Sequence, residues 1–185
     1  MGDGLIEKVA EAAVPKERPD GSVYQSLSFA RQRELAELHG GDHKKVQLSA
    51  LEQEIVPEVY ARNQKRLSCA DQIKLLKSHV AIIGLGGLGG TVTEILARIG
   101  IGTLTLVDGD RFDDSNLNRQ LLSSTELLGT PKALAAEARV KAVNPAVETR
   151  PFSAYLSAEN GVDLLGDADI AVDCLDSITD RFILE

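Results

Sequence analysis

Apolar and polar positions change their spacing in a regular way along the second part of the chain. Short apolar runs, which predict strands, alternate with segments whose apolar residues recur at helical spacing. The predicted strands are residues 79–84, 103–107, 147–152 and 168–174, and the predicted helices are residues 88–99, 131–142 and 158–165. Residues 80–83 and 170–172 are continuously apolar, which predicts strands that are buried on both faces.

Strands that alternate with helices in this way predict one sheet that is covered on both faces. The fold class is therefore α/β, with a Rossmann-like, doubly wound, mostly parallel sheet. Four strands are few for such a sheet, so we expect that the C-terminal part of this domain is missing from the chain and lies downstream.

Residues 1–58 show shorter patterns and predict a small helical extension before the second domain, residues 59–185. Apolar spacing predicts a helix over residues 6–14, and Ser28 could cap another that reaches Leu38. Ser49 and Glu52 form a capping-box pattern for a short third helix. No residue of this extension suggests chemistry, and we interpret it as a segment for packing or for contact with a partner.

The composition excludes several classes of protein. No run approaches the ~20 apolar residues of a membrane helix, and two cysteines provide neither a disulfide framework nor a zinc quartet. These features predict a cytoplasmic protein without membrane contact. The net charge of −8 argues against nucleic-acid binding and means that an anionic ligand needs local donors and cations.

A glycine-rich turn carries the first chemical signal. Its residues follow the first predicted strand of the sheet and precede a helix, and they include Gly84, Gly86, Gly87 and Gly89. Glycines let the backbone approach a phosphate closely, and the helix that follows offers free N–H donors. The alternative is a turn that serves packing alone.

Other candidates fall where neighbouring strands end, which is where ligands bind in a doubly wound sheet. Asp108 ends the second strand, near the roughly 20-residue spacing expected for a carboxylate that binds ribose hydroxyls. Arg119 and Lys132 could neutralise phosphate charge. Asp176 follows the fourth strand and could hold Mg²⁺, which favours one or two carboxylates together with substrate phosphates.

Each of these residues also has a structural interpretation. Asp176 could cap the last helix, and Cys174 is best explained as a core residue. Asp110, Asp113 and Asp114 are better explained by a solvated loop than by a metal cluster. An NAD-dependent oxidoreductase would use the same glycine turn and acid, but it gives the cations and Asp176 no role.

Seven ordered motifs, taken together, resemble the ThiF/MoeB/HesA family, the bacterial relatives of the ubiquitin-activating enzymes. The resemblance runs from about Tyr60 to the last residue. Its motifs are Tyr60-Ala-Arg62-Asn, the glycine turn 84–90, Val107-Asp108-Gly-Asp110, Ser115-Asn-Leu-Asn-Arg-Gln120, Gly129-Thr-Pro-Lys132, Asn144-Pro145, and Asp173-Cys-Leu-Asp176-Ser followed by Arg181.

The resemblance implies an adenylyltransferase that uses ATP and Mg²⁺ to convert the C-terminal glycine carboxylate of a small ubiquitin-like sulfur-carrier protein into an acyl-adenylate. By motif position, it implies nucleotide contacts from the glycine turn, Asp108, Asp110, Ser115, Asn116, Arg119, Gln120 and Lys132. Asp176 would bind the metal. Catalytic roles would fall to Arg119, Lys132, Asp176 and Arg62.

The resemblance also implies a homodimer, because Arg62 matches an arginine that such dimers insert into the partner subunit's ATP site. Zinc is possible only through cysteines beyond this chain. A non-catalytic partner subunit of the same family stays open as an alternative. The pathway also stays open among thiamin, molybdopterin and cysteine biosynthesis, tRNA modification and peptide-antibiotic adenylation.

Overall fold

A computed structural model of the chain describes residues 3–184. Residues 1 and 2 of the predicted extension and residue 185 of the predicted second domain lie outside the described residues. The chain folds as two compact units, and the boundary between them in the sequence falls between Lys77 and Ser78. Over the described range, no helix has the length and apolar character needed to cross a membrane.

The first unit combines helices with a small sheet. In this sheet β1 pairs antiparallel with β2, and β2 pairs parallel with β3. The elements are α1 (Asp3–Ala12), β1 (Val14–Glu17), β2 (Val23–Leu27), α2 (Phe29–Leu38), α3 (His43–Glu52), β3 (Ile55–Pro57) and α4 (Cys69–Lys77).

The sequence pattern predicts the helices of this extension but misses its sheet. A tight turn joins β1 to β2, because Asp20 Oδ1 accepts hydrogen bonds from the Ser22 N–H (3.0 Å) and hydroxyl (2.7 Å). Gly21 supplies the positive φ of 82° that this turn needs. The Asp-Gly pair at residues 20 and 21 was the available turn signal.

The predicted cap of α2 is confirmed, whereas that of α3 is wrong. Ser28 Oγ accepts a hydrogen bond from the Arg31 N–H (3.3 Å) at the start of α2. Helix α3 begins earlier than predicted, because Asp42 Oδ1 accepts from the Lys45 N–H (2.8 Å). Ser49 therefore lies inside α3 and caps nothing.

A ladder of buried polar side chains runs through the first unit. The Tyr60 hydroxyl donates to Gln47 Oε1 (2.9 Å), and Gln47 Nε2 donates to Gln32 Oε1 (3.1 Å). Gln32 Nε2 then donates to the carbonyl of Leu27 (2.8 Å), which ends β2. Each of these amides and the hydroxyl is almost fully buried, so the ladder fixes α2, α3 and the segment after β3 relative to one another.

The predicted domain boundary at 58/59 and the boundary between compact units differ. Tyr60, Cys69 and Leu76 share one hydrophobic cluster with Leu51 and Val56. The segment with the first family motif therefore packs with the extension that precedes it.

The second unit is a parallel sheet with the strand order β6-β5-β4-β7. Its strands are β4 (His79–Ile83), β5 (Thr103–Val107), β6 (Glu148–Phe152) and β7 (Ile170–Asp173). Its helices are α5 (Gly87–Ile99), α6 (Lys132–Val143), α7 (Gly161–Leu165) and α8 (Ile178–Leu184). The α/β class and the parallel sheet are confirmed.

Burial separates the central strands from the strands at the edges. Every residue of β4 and β5 is buried, as predicted for β4. The prediction that 170–172 is buried on both faces is wrong, since Ile170 is 59% exposed. Within the described residues β7 pairs with β4 alone, which leaves its other side without a neighbouring strand.

Glu94 joins α5 to α6 on one side of the sheet. Its carboxylate accepts hydrogen bonds from Arg139 Nε (2.8 Å) and Nη2 (2.7 Å) on α6, and from Arg98 Nη2 (2.6 Å) on α5. These bonds, led by those from Arg139, hold the pKa of Glu94 below its usual value despite burial.

Replacement of Tyr60 by phenylalanine tests the polar ladder. The hydroxyl is lost and the buried Gln47 acceptor loses its donor, so we expect the free energy of unfolding to fall by about 1–3 kcal/mol. Tyr24→Phe is the matched control, because that hydroxyl lies partly exposed on Glu58, which keeps Ser26 and Lys16 as partners. Urea denaturation measures both, and equal losses would contradict the prediction.

Replacement of Glu94 by glutamine tests the link between α5 and α6. A lowered carboxyl pKa contributes stability above the unfolded pKa of about 4.3 and loses it as the pH falls through the folded value. The variant should therefore be less stable near pH 7 by about 1 kcal/mol, since both arginines are half exposed. This deficit should shrink below about pH 4 in urea titrations. Glu137→Gln, which removes a more exposed ion pair with Lys141, should change stability less.

Candidate functional site

The carboxyl ends of the four parallel strands enclose a cavity of about 490 Å³. A second cavity of about 500 Å³ shares part of its lining. The shared residues are Gly109, Asp110, Arg119, Gln120, Lys132, Tyr155 and Asp176. Four of these seven are charged, so ionic side chains concentrate where the two cavities meet.

The glycine turn brings backbone into direct contact with backbone. Gly84 has a φ of +89°, and a Cβ placed there would lie 2.7 Å from the carbonyl oxygen of Cys174. A Cβ at Gly89 would lie 1.8 Å from the Gly84 carbonyl oxygen. Both positions therefore require glycine, and the predicted turn between strand and helix is confirmed.

Asp108 is buried beneath this turn. Its Oδ2 accepts a hydrogen bond from the Leu85 N–H (2.7 Å), and its Oδ1 accepts one from the Asp110 N–H (2.8 Å). Burial raises the pKa of Asp108 above its usual value, although both backbone donors oppose that change. The carboxylate thus ties the glycine turn to the loop after β5, and it also lines the cavity.

Asp110 bridges two side chains in the shared part of the lining. One oxygen accepts from Lys132 Nζ (2.8 Å), and the other accepts from the Tyr155 hydroxyl (2.6 Å). The Lys132 ammonium, followed by Tyr155, holds the pKa of Asp110 below its usual range. The same bond raises the pKa of the Tyr155 hydroxyl.

The loop 113–120 carries the next group of predicted residues. Asn116 is buried, and its Oδ1 accepts from the Asp113 N–H (3.1 Å). Asp113 in turn accepts from the Ser115 N–H (2.8 Å), so this acid caps the turn. The exposed Arg119 guanidinium donates to the Ser115 carbonyl and, at 3.4 Å, to Asn118 Oδ1.

Gln120 presents a buried acceptor oxygen close to the cavities. Its side chain lines both cavities, and its Oε1 has no hydrogen-bond partner among the residues that the structure describes. Buried amide oxygens are normally paired. The atom therefore suggests that a ligand supplies the missing donor.

Asp176 is exposed and lines both cavities. It does not cap α8, because the Asp180 N–H at the start of that helix donates to Ser177 Oγ (3.4 Å). Arg181 of α8 also lines the first cavity, where it donates to the Leu175 carbonyl (2.7 Å) and pairs with Asp173 (3.3 Å).

Most of the predicted site residues therefore line the two cavities that share part of their lining. The first cavity is lined by Gly84, Gly86, Gly87, Asp108, Asp110, Arg119, Gln120, Lys132 and Asp176, and the second adds Ser115 and Asn116. Gly89 packs against the Gly84 carbonyl and lines neither cavity. Arg62 is exposed and belongs to the first unit.

Sequence reasoning missed Tyr155, which lines both cavities. It lies shortly after β6, at the same edge of the sheet as the other candidates. An aromatic residue just beyond a parallel strand was the available signal.

This arrangement suits a ligand that carries both phosphates and hydroxyl groups. The turn before α5 offers backbone donors, the shared lining offers an arginine and a lysine, and Asp108 offers acceptor oxygens. Three or more His, Cys, Asp or Glu side chains do not come together as a metal centre anywhere in the described chain.

Comparison with a sequence model described as the ThiF family gives a match over residues 60–185. Two curated proteins are similar over part of this range. The sulfur carrier protein adenylyltransferase of Thermus thermophilus is 36% identical over 71% of this chain and 46% of its own length. The sulfur carrier protein ThiS adenylyltransferase of Escherichia coli is 41% identical over 60% and 44%, respectively. This chain thus spans less than half of either relative.

A solved structure shows the same fold. The E. coli tRNA N6-threonylcarbamoyladenosine dehydratase TcdA, in complex with ATP, superposes with a TM-score of 0.59. It is 27% identical, and the match covers 61% of this chain and 47% of that one.

Replacement of Gly84 by alanine tests the backbone contact under the turn. Gly129→Ala is the matched control, since Gly129 also has a positive φ of 80° but has open space around it. The control should cost about 1–2 kcal/mol from backbone strain alone. Gly84→Ala should cost about 3 kcal/mol or more, because the Cys174 carbonyl must also move. Similar denaturation midpoints for the two variants would contradict this.

Proposed function

The chain belongs to the ThiF family, and from this we propose that it forms the ATP-binding part of an adenylyltransferase. Its substrate would be the C-terminal glycine carboxylate of a small ubiquitin-like sulfur-carrier protein. The names of the two curated relatives support this class of substrate.

The observation that carries the proposal is the shared lining of the two cavities. A glycine turn and Asp108 lie on one side, and Arg119, Lys132 and Asp176 are gathered where the cavities meet. An oxidoreductase has no need for these cations beside a second acid, whereas the transfer of a nucleotide does.

Each part of the nucleotide has a proposed partner in the lining of the cavities. The backbone N–H groups at the start of α5 would bind a phosphate, and Asp108 would accept hydrogen bonds from the ribose hydroxyls. The unpaired Oε1 of Gln120 would accept a further donor of the ligand. Arg119 would neutralise phosphate charge after it turns from the Ser115 carbonyl. Lys132 would do so from its place on Asp110, because an ammonium has three N–H donors and Asp110 accepts only one of them.

In the proposed reaction, a carboxylate oxygen of the carrier attacks the α-phosphorus of ATP. The bond from that phosphorus to the bridging oxygen breaks, and pyrophosphate leaves with the electron pair. Catalysis then consists of positioning and of stabilising the negative charge that develops on the phosphates. Arginine and lysine suit this work, and a side-chain nucleophile is not required.

The acidic residues fit a magnesium ion that arrives with its nucleotide. Mg²⁺ usually takes one or two carboxylates together with phosphate oxygens. Asp176 is exposed in the shared lining, and its carboxylate makes no hydrogen bond or ion pair with another described residue, so we propose it as the ligand. The bound ion would neutralise phosphate charge.

A homodimer is part of the same proposal. Arg62 starts a short 3₁₀ turn, Asn63–Lys65, and its side chain is exposed and unpaired within the described residues. An arginine of this kind is available to reach the ATP site of a second copy. The cytoplasmic location stays a prediction of the sequence.

Pyrophosphate exchange tests the activity. We expect ATP-dependent exchange with one member of a panel of carriers that end in Gly-Gly, and that member would indicate the pathway. Asp176→Ala should lower the rate by about 100-fold or more. Asp163→Ala is the control, since this exposed acid on α7 lies outside both cavities and should leave the rate unchanged.

Two other results would each exclude part of the proposal. Binding of Mg²⁺-ATP without exchange, across the whole panel, would favour a non-catalytic partner subunit. A preference for NAD over ATP would favour an oxidoreductase.

A further inference from the structure

Tyr155 lines both cavities but has no part in the nucleotide contacts of the proposed function. We propose that Tyr155 is a positioning residue of this site, which holds the Asp110 carboxylate so that Asp110 can fix the Lys132 ammonium where the two cavities meet. This inference rests on the proposed binding of ATP and adds a residue that controls one of its phosphate contacts.

The backbone that follows Tyr155 is held in place by apolar packing and by hydrogen bonds. The next residue, Leu156, is buried in the cluster that contains Ile83 and Val107 of the central strands. The Tyr155 carbonyl accepts a hydrogen bond from Asn160 Nδ2 (2.9 Å), and Asn160 Oδ1 accepts from the Ser157 N–H (2.8 Å). The exposed Tyr155 side chain is therefore attached to a backbone segment that is held in place.

The ring itself packs directly on backbone. A Cβ built on Gly109 would lie 2.6 Å from the Tyr155 ring, so only glycine leaves room for the ring at this distance. Gly109 lies between the two acids Asp108 and Asp110, which places the tyrosine over the loop that carries both. Tyr155 is nonetheless 70% exposed, so core packing does not account for its placement.

The polar contacts of the hydroxyl lead to the lysine. Tyr155 donates to one Asp110 oxygen at 2.6 Å, and Lys132 Nζ donates to the other at 2.8 Å. The Lys132 N–H also donates to the Asp110 carbonyl at 3.0 Å. Asp110 thus holds both ends of a lysine that is 6% exposed, while the tyrosine fixes the rotation of the carboxylate.

Two separable contributions follow from this geometry. The hydroxyl acts at a distance, through Asp110 and Lys132, and so affects only the phosphates of a ligand. The ring forms part of the wall beside Asp108 and so affects any ligand that fills the cavity. A residue with a merely structural role would not divide its effect in this way.

The test compares ATP with adenosine, which lacks phosphates, by titration calorimetry on the parent and two variants. Tyr155→Phe should weaken ATP binding by about tenfold and change adenosine binding by less than about twofold, because only the link to Lys132 is lost. Tyr155→Ala should weaken the binding of both ligands. Thermal unfolding of each variant confirms that it is folded.

A double-mutant cycle tests the route through Asp110. In an Asp110→Ala background the hydroxyl has nothing to hold, so Tyr155→Phe should cause no further loss of ATP affinity. Tyr24→Phe is the matched control, because this tyrosine also donates to a carboxylate, Glu58 (3.2 Å), but belongs to the first unit. It should leave the affinity for ATP unchanged.

Three results would overturn the inference alone. They are equal ATP affinity in the parent and Tyr155→Phe, equal losses for ATP and adenosine in that variant, and a loss that persists in the Asp110→Ala background. A parent protein that binds neither ATP nor adenosine would instead overturn the proposed function, and this inference with it.

Discussion

The buried carboxylate of Asp108 is the interaction on which the second unit's site depends. Its two oxygens hold the N–H groups of Leu85 and Asp110, so one side chain fixes both the glycine turn after β4 and the acidic loop after β5. Asp110 then sets the place of Lys132 and Tyr155. The positions of Asp110, Lys132 and Tyr155 in the cavities therefore depend on the Asp108 carboxylate. Burial makes its charge costly, and its two backbone donors offset part of that cost.

The cations that line the cavities have partners within the protein. Lys132 is paired with Asp110, and Arg119 donates to the Ser115 carbonyl. A buried ammonium without a partner would be costly, so this pairing lets the protein keep the charge in place. A phosphate group must then share the Lys132 ammonium with an internal carboxylate, which favours ligands that carry several negative charges.

The sequence predicts the second unit well because its signals are local. The buried strand β4, the glycine turn and the positions of Asp108, Arg119 and Lys132 all follow from short patterns read along the chain. The three-stranded sheet of the first unit and the exposure of β7 do not, since pairing and edge position depend on residues distant in sequence. Tyr155 was missed for the same reason, because its role depends on contacts with Gly109 and Asp110, which are distant from it in the sequence.

The contact between Gly84 and Cys174 has a consequence for how such sequences can diverge. The atom that excludes a side chain at position 84 is a carbonyl oxygen, which every amino acid carries. Position 174 is therefore free to change its side chain without relieving the demand for glycine at 84. Two positions that touch in space should thus drift independently in evolution, one invariant and the other variable, and pairwise covariation would not reveal their contact.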